Sequence, residues 1–349
     1  MVNDMALKRV FIFVFALFIL CLPCGQVEGI VLHPETEPNL VTWTERPSDG
    51  VVGRWGNNAS CVAVAPSYVI TTRHQGGGNS TTVTIGETAY SISRIINHPT
   101  ADIRLVELSD ANLVEYASLN FDADEQGQEI VLGGYGLGAG ERVEIRYRHD
   151  YYTFGYEWQG PETEPNNTDL RWGTNQIEAL AETLPGNYTS DILVSQFDKP
   201  EATDYECSIA EHDSGGGWFA GGEDGWKVVG LSRMTIGFTP SMSFFMTEES
   251  PPQLFPKYPN EPLPNYAPTD PEGYVIIYNY LDAVRISSYA EWVIEAMCVN
   301  ELRNLASNWL VDGCDETNNY CDNADKTRDG VVDIKDFAVL AGEWLKRGD

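Results

Sequence analysis

The chain has 349 residues, and 52 acidic side chains against 22 basic ones give it a net charge of −30 at neutral pH. A surplus of that size repels phosphate backbones and anionic bilayers, which excludes nucleic acid and charged membrane surfaces as ordinary partners. Apolar residues make up 42% of the chain, enough for a sizeable core, and the length accommodates two or three domains.

Residues 1–29 read as a secretory signal peptide. Lys8 and Arg9 precede an apolar run over 10–22 that is too short for a membrane span, and Pro23, Cys24 and Gly25 follow it. Cleavage after Gly29 gives a secreted chain beginning Ile30-Val31. A lipid-anchored Cys24 is the lesser alternative, because the residues before it fit that signal poorly. Five cysteines remain: Cys61, Cys207, Cys298, Cys314 and Cys321. Export permits disulfides. Cys314 and Cys321, close in sequence and flanking a polar loop, are the expected pair, and the odd count leaves at least one thiol unpaired or intermolecular.

Further on, residues 30–60 are polar and end a strand near Val52. Short strands separated by Gly, Asn and Asp turns are expected over 81–85, 90–96, 102–108, 129–133 and 142–148. That density of strands without long helical periodicity predicts an all-β barrel architecture. Residues 151–190, acidic, aromatic and glycine-containing, read as long surface loops. Strands return over 192–196 and 226–233, residues 236–272 form a Pro- and Phe-rich insertion, and 274–297 close the domain. Asn58, Asn79, Asn166 and Asn187 open Asn-x-Ser/Thr triplets, which are frequent by chance and carry no assigned function.

The chemistry centres on Glu211-His212-Asp213-Ser214-Gly215-Gly216-Gly217. A serine before three glycines suits a nucleophile on a tight turn, since glycine permits φ > 0 and close approach of a substrate. The amide of Ser214 and one just before it can then aim at a single point where an oxyanion would form. The same residues suit a flexible surface loop, but two upstream segments oppose that. Cys61-Val-Ala-Val-Ala-Pro-Ser-Tyr-Val-Ile-Thr-Thr-Arg-His74 reads as strand, turn, strand, then histidine. Ala101-Asp102-Ile-Arg-Leu-Val-Glu-Leu108 is an aspartate opening a strand.

With these three segments in order, the chain resembles the chymotrypsin-like (trypsin family) serine proteases over roughly residues 30–297. The resemblance implies a double β-barrel ending in a helix. It also implies a triad in which Ser214 attacks a scissile carbonyl, His74 carries the proton and Asp102 orients the imidazole. The implied oxyanion hole is the amides of His212 and Ser214. Here the chain departs from the family pattern, because His212 stands where glycine is usual. Gln75 likewise replaces a cysteine common after the histidine. The family's pocket floor falls on Ser208, which is neutral and gives no preference for basic residues. Family members seat a new N-terminal ammonium on the acid before the serine, so Ile30 and Asp213 are the candidate pair here.

The last fifty residues or so hold a repeat. Leu302, Leu305, Ala306, Trp309 and Leu310 recur in the same spacing as Phe337, Leu340, Ala341, Trp344 and Leu345, one apolar helix face each time. Before the second set, Asp325, Thr327, Asp329, the carbonyl of Val331, Asp333 and Asp336 fall at positions 1, 3, 5, 7, 9 and 12 of a loop with Gly330 at position 6. Oxygen donors alternating around such a turn describe a structural Ca²⁺ site. The loop resembles that of dockerin modules, in degenerate form with one site, and so implies anchoring to a cohesin-like scaffold protein.

The expected organisation is therefore a signal peptide over 1–29, a trypsin-like protease domain over 30–297 and a small α-helical dockerin-like module over 298–349. The fold class is mainly β. The expected function is a secreted serine endopeptidase acting on protein or peptide substrates, with Ca²⁺ structural only and no cofactor for catalysis. The alternative is a catalytically silent protease homologue acting as a Ca²⁺-dependent binding protein, motivated by His212 and by the Arg73 and Gln75 neighbours of His74.

Overall fold

The strand Ala59–Ala65 is buried along its whole length, and a different core packs on each of its two faces. Side chains alternate across a strand. Cys61 and Ala63 turn into a core with Trp55, Val69, Val83, Val106 and Leu108. Val62 and Val64 turn the other way, against Tyr68, Leu105, Val131, Phe219 and Leu231. A strand buried on both faces reads as a near-continuous apolar run, and here only Ser60 interrupts it.

The computed structural model describes residues 30–32, 38–147, 150–159, 169–183, 186–199, 202–222, 225–236, 242–244, 246–247 and 280–347. The expected signal peptide and most of the 236–272 insertion lie outside the described residues. Two sheets dominate, antiparallel except where the short strand Ser118–Leu119 pairs in parallel with Lys227 and Val228 of the second. The first joins β1 (Val52–Trp55), β2 (Ala59–Ala65), β3 (Tyr68–Thr71), β4 (Val83–Ile85), β5 (Thr88–Tyr90), β6 (Ile92–Asn97) and β7 (Arg104–Leu108), in the order β5-β4-β1-β2-β3-β7-β6. The second joins β8 (Glu129–Gly134), β9 (Arg171–Gln176), β10 (Ala179–Glu182), β11 (Asp191–Gln196), β12 (Gly217–Gly222), β13 (Gly225–Ile236) and β14 (Tyr280–Arg285), in the order β9-β8-β12-β13-β14-β11-β10. It encloses a separate core of Ile130, Leu132, Leu193, Phe197, Cys207, Trp218, Val229 and Leu281.

Several expectations are corrected. No strand ends at Val52; a short 3-10 turn over Asp49–Val51 ends there and β1 begins. Residues 151–190 are not all loop. They contribute β9, β10 and one arm of a hairpin, Gly138–Tyr147 paired with Asp150–Gln159. Asp102 and Ile103 precede β7 rather than opening it.

The closing helix and the first repeat helix are one element, α1 (Ala290–Ser307). It passes through the boundary expected at 297/298. Ala290, Val293 and Met297 pack on the core between the sheets, and the Asn300 amide donates to Tyr68 Oη and Glu107 Oε2. One turn further, Leu305 enters a small core with Cys314, Cys321, Ala324, Val332 and Leu340, the last of these on α2 (Ile334–Arg347). Trp309 and Leu310 lie beyond the end of α1, and Leu310 takes φ 63°, so the first repeat does not complete its helical face. Cys314 and Cys321 are joined by a disulfide, as expected; Cys61 and Cys207 are buried free thiols. Among the described residues no helix is long and apolar enough to cross a membrane.

Candidate active site

The loops that leave β3, enter β7 and enter β12 meet between the two sheets. They bring His74, Asp102 and Ser214 together. His74 Nδ1 is 2.7 Å from Asp102 Oδ2, and His74 Nε2 is 2.8 Å from Ser214 Oγ. Asp102 is 2% exposed. Its Oδ1 accepts the backbone N–H groups of Arg73 and His74, both at 2.8 Å, and its own amide donates to Ser190 Oγ. The carboxylate is thus held by three donors, one of which is the imidazole.

Two arginines fix the backbone around His74. The Arg73 guanidinium donates to the carbonyls of His98 and Ala101 and lies over the Tyr188 ring. The Arg104 side chain donates to the carbonyls of Arg73 and Gly76 and covers the Trp55 ring. The sequence marked Arg73 only as an atypical neighbour of His74, and Arg104 not at all. Beside Ser214 lies a further buried pair. Arg233 binds Asp282 through Nε and Nη2, and its carbonyl is 3.5 Å from Ser214 Oγ. Burial pushes the Asp282 carboxyl up, and the Arg233 charge opposes it.

At the turn before the serine, His212 takes φ 75° and Gly215 takes φ 83°. The left-handed region suits glycine; a Cβ on Gly215 would stand 2.3 Å from the Ser60 carbonyl. The Ser214 carbonyl accepts the Ser60 amide at 2.8 Å. Among the described residues, neither the His212 amide nor the Ser214 amide meets a protein acceptor.

Asp213 is fully buried. It accepts from the amides of Ala210 and Gly136 and from the backbone of Ile30. Burial pushes its carboxyl up to about 7, while those hydrogen bonds and the Arg171 charge pull the other way. The expected neighbours Ile30 and Asp213 are therefore in contact. Ser208 lies in a short strand, Cys207–Ser208, that pairs with Val31–Leu32, and its hydroxyl donates to the adjacent Ile209 carbonyl.

In the C-terminal loop the expected donors surround Gly330, which takes φ 93°. Asp325 accepts from the amides of Asp329 and Gly330, and Asp336 from those of Thr327 and Asp333. The Val331 amide donates to Asp329 Oδ1, and Lys335 Nζ sits 2.5 Å from Asp329 Oδ2. An all-oxygen donor set suits a hard cation. The carboxylates are nevertheless turned onto loop amides and Lys335, and among the described residues no three acidic, His or Cys side chains converge as a metal site would need.

No family model matches the chain. A protein of Corynebacterium glutamicum that carries a peptidase name is 34% identical over 115 residues, covering 30% of this chain and 41% of that protein. An uncharacterized peptidase of strain R of the same species is 32% identical over 113 residues, again 30% of this chain and 41% of the relative. The chain therefore spans well under half the length of these curated relatives. Among solved structures, neuropsin, a serine protease expressed in the limbic system of mouse brain, superposes with a TM-score of 0.43 at 15% identity, over 72% of this chain and 95% of neuropsin. The MamO protease domain from Magnetospirillum magneticum does so with a TM-score of 0.39 at 14% identity, over 70% and 96%.

Proposed function

We propose that the chain is a secreted serine endopeptidase that cleaves protein or peptide substrates through an acyl-enzyme. The observation that carries this reading is the unbroken hydrogen-bonded run from Asp102 through His74 to Ser214. A serine hydroxyl is a weak nucleophile until a base touches it. Because Asp102 is an acceptor, it holds the proton of a neutral imidazole on Nδ1 and leaves the lone pair of Nε2 toward Ser214 Oγ. As Oγ bonds to the scissile carbonyl carbon, its proton passes to Nε2. The buried Asp102 charge stabilises the imidazolium, which returns the proton to the leaving amine. Water then repeats the sequence on the ester. The amides of His212 and Ser214 serve as donors to the oxyanion at each tetrahedral stage. No cofactor takes part.

A biotinylated fluorophosphonate tests the reading. The protein should be labelled once, at the peptide bearing Ser214, and labelling should stop any hydrolysis of denatured casein. No labelling, or labelling at another serine, would overturn it.

The C-terminal loop is read as a structural Ca²⁺ site held by Asp325, Thr327, Asp329, the Val331 carbonyl, Asp333 and Asp336, within a dockerin-like module that docks on a cohesin-like scaffold protein. Lys335 Nζ lies 2.5 Å from Asp329 Oδ2, one of these donors. Millimolar Ca²⁺ is expected to raise the melting temperature of the module, and Asp325→Ala to abolish that rise. An equal response in parent and variant would sink the site.

A further inference from the structure

We infer that Ser60 is a positioning residue for the oxyanion hole, a role that rests on the peptidase reading above. Ser60 is fully buried in β2. Its Oγ lies 3.0 Å from the Tyr135 amide nitrogen and 3.1 Å from the His212 carbonyl oxygen. A hydroxyl has one proton. The Tyr135 N–H is itself a donor, so it must point at Oγ, and the single Ser60 proton is left for the His212 carbonyl. The direction of that hydrogen bond follows from the chemistry of its neighbours.

The other peptide flanking His212 is held as well. The Glu211 carbonyl accepts the Leu137 amide at 2.8 Å. In a trans peptide the N–H points opposite the C=O, so pulling the Glu211 carbonyl toward Leu137 turns the His212 N–H away from it. The imidazole supplies a third anchor, its Nδ1 lying 3.0 Å from the Asn58 carbonyl. Since a carbonyl only accepts, the proton is on Nδ1. Ser60 also donates its own amide to the Ser214 carbonyl, so one residue of β2 grips both sides of the turn that presents the two free amides.

These anchors answer a need that His212 creates. A residue with a Cβ disfavours φ 75° and relaxes by turning the peptide before it, which would point the His212 N–H out of the hole. Glycine at this place has no such bias. The hydroxyl of Ser60 therefore matters because residue 212 is a histidine, and its importance should fall when that residue is glycine.

The experiment is a double-mutant cycle with Ser60→Ala and His212→Gly on the full chain, read by kcat and KM on a peptide ester and by the rate of phosphonylation. Losing one hole donor outright costs about 100-fold to 1,000-fold in kcat; a turn populating the wrong peptide orientation costs part of that. Ser60→Ala should lower kcat by about tenfold or more with KM changed less than about twofold. In the His212→Gly background the same change should cost less than about threefold. Melting curves of all four proteins separate misfolding from mispositioning, because an unfolded Ser60→Ala would not be rescued in kcat at constant KM. Wild-type kcat in Ser60→Ala, or equal losses in the two backgrounds, would overturn the inference while leaving the peptidase reading intact. A wild-type protein that neither hydrolyses nor labels would overturn both.

Discussion

Asp102→Asn is expected to lower kcat by about 10⁴ while leaving the fold intact. The reason lies in which oxygen of Asp102 does what. Oδ1 accepts two backbone N–H groups, from Arg73 and His74. Oδ2 accepts His74 Nδ1. An asparagine at this place can present its carbonyl to only one of these sets. Facing two fixed amides with an NH₂ group would leave three donors in opposition, so the amide oxygen must take the Oδ1 position. The NH₂ group then faces Nδ1, which has to become an acceptor. The imidazole proton moves to Nε2, where it points at Ser214 Oγ and the ring can no longer act as a base. The two backbone amides keep donating to the Oδ1 position and only the bonds through the imidazole reverse, so thermal stability should change little while turnover collapses. Steady-state kcat beside a melting curve checks this. A variant with near-parental kcat would show that the carboxylate does not govern the tautomer, and would remove Asp102 from the catalytic run.

Much of this site was legible in the sequence because its members lie in local patterns. A strand followed closely by His74, an aspartate just ahead of β7 and a glycine-rich turn after Asp213 are each visible within a dozen residues. The supports are not. Ser60 and His212 are 152 positions apart, and Arg233 and Asp282 are 49 apart. The backbone contact between Leu137 and Glu211 leaves no mark on either side chain. Fold errors have a similar origin. The first arm of the hairpin, Gly138–Tyr147, overlaps the strand expected over 142–148, but the second, Asp150–Gln159, lies in an acidic, aromatic and glycine-containing stretch that reads as loop because neighbouring strands, not propensity, fix it. Repeat spacing at the C-terminus was taken as two matching helices. In the first copy the apolar spacing runs past Ser307, but the backbone turns left-handed at Leu310, so Trp309 and Leu310 never join the helical face. Ile30 was legible only as a family resemblance, and its contact with Asp213 spans nearly the whole barrel sequence.

That contact leads to the second large effect, a reversal in how stability depends on pH. With residues preceding Ile30 still attached, the group facing Asp213 is a peptide N–H, and burial holds the carboxyl at about 7 against its usual 3.8. A folded-state value above the unfolded one means that the folded protein binds the proton more tightly. The contribution to stability is complete below about pH 4 and is lost as pH rises through about 7, a change of roughly 4 kcal/mol. Glu178 and Glu206 reinforce the same slope. Burial is the main cause for both, with the nearby Asp198 charge adding to it, and both are pushed up to about 8. If processing instead leaves Ile30 as the first residue, its ammonium faces Asp213. The carboxylate is then favoured over the acid, its folded-state value drops below the unfolded one, and the contribution appears above pH 4 and vanishes on acidification. Glu178 and Glu206 are common to both forms, so the difference between them isolates the pair made by Asp213 and the new Ile30 amino group, which ordinarily titrates at about 8. Urea unfolding from pH 4.5 to 8 should show the form beginning at Ile30 gaining stability relative to the extended form as pH rises, by several kcal/mol at the alkaline end. Asp213→Asn should remove that gain, because the buried Ile30 ammonium then has no carboxylate to face. Parallel pH profiles for the two would mean that the Ile30 nitrogen and the Asp213 carboxylate do not form an ion pair, and that the N-terminus has no part in ordering the turn that carries Ser214.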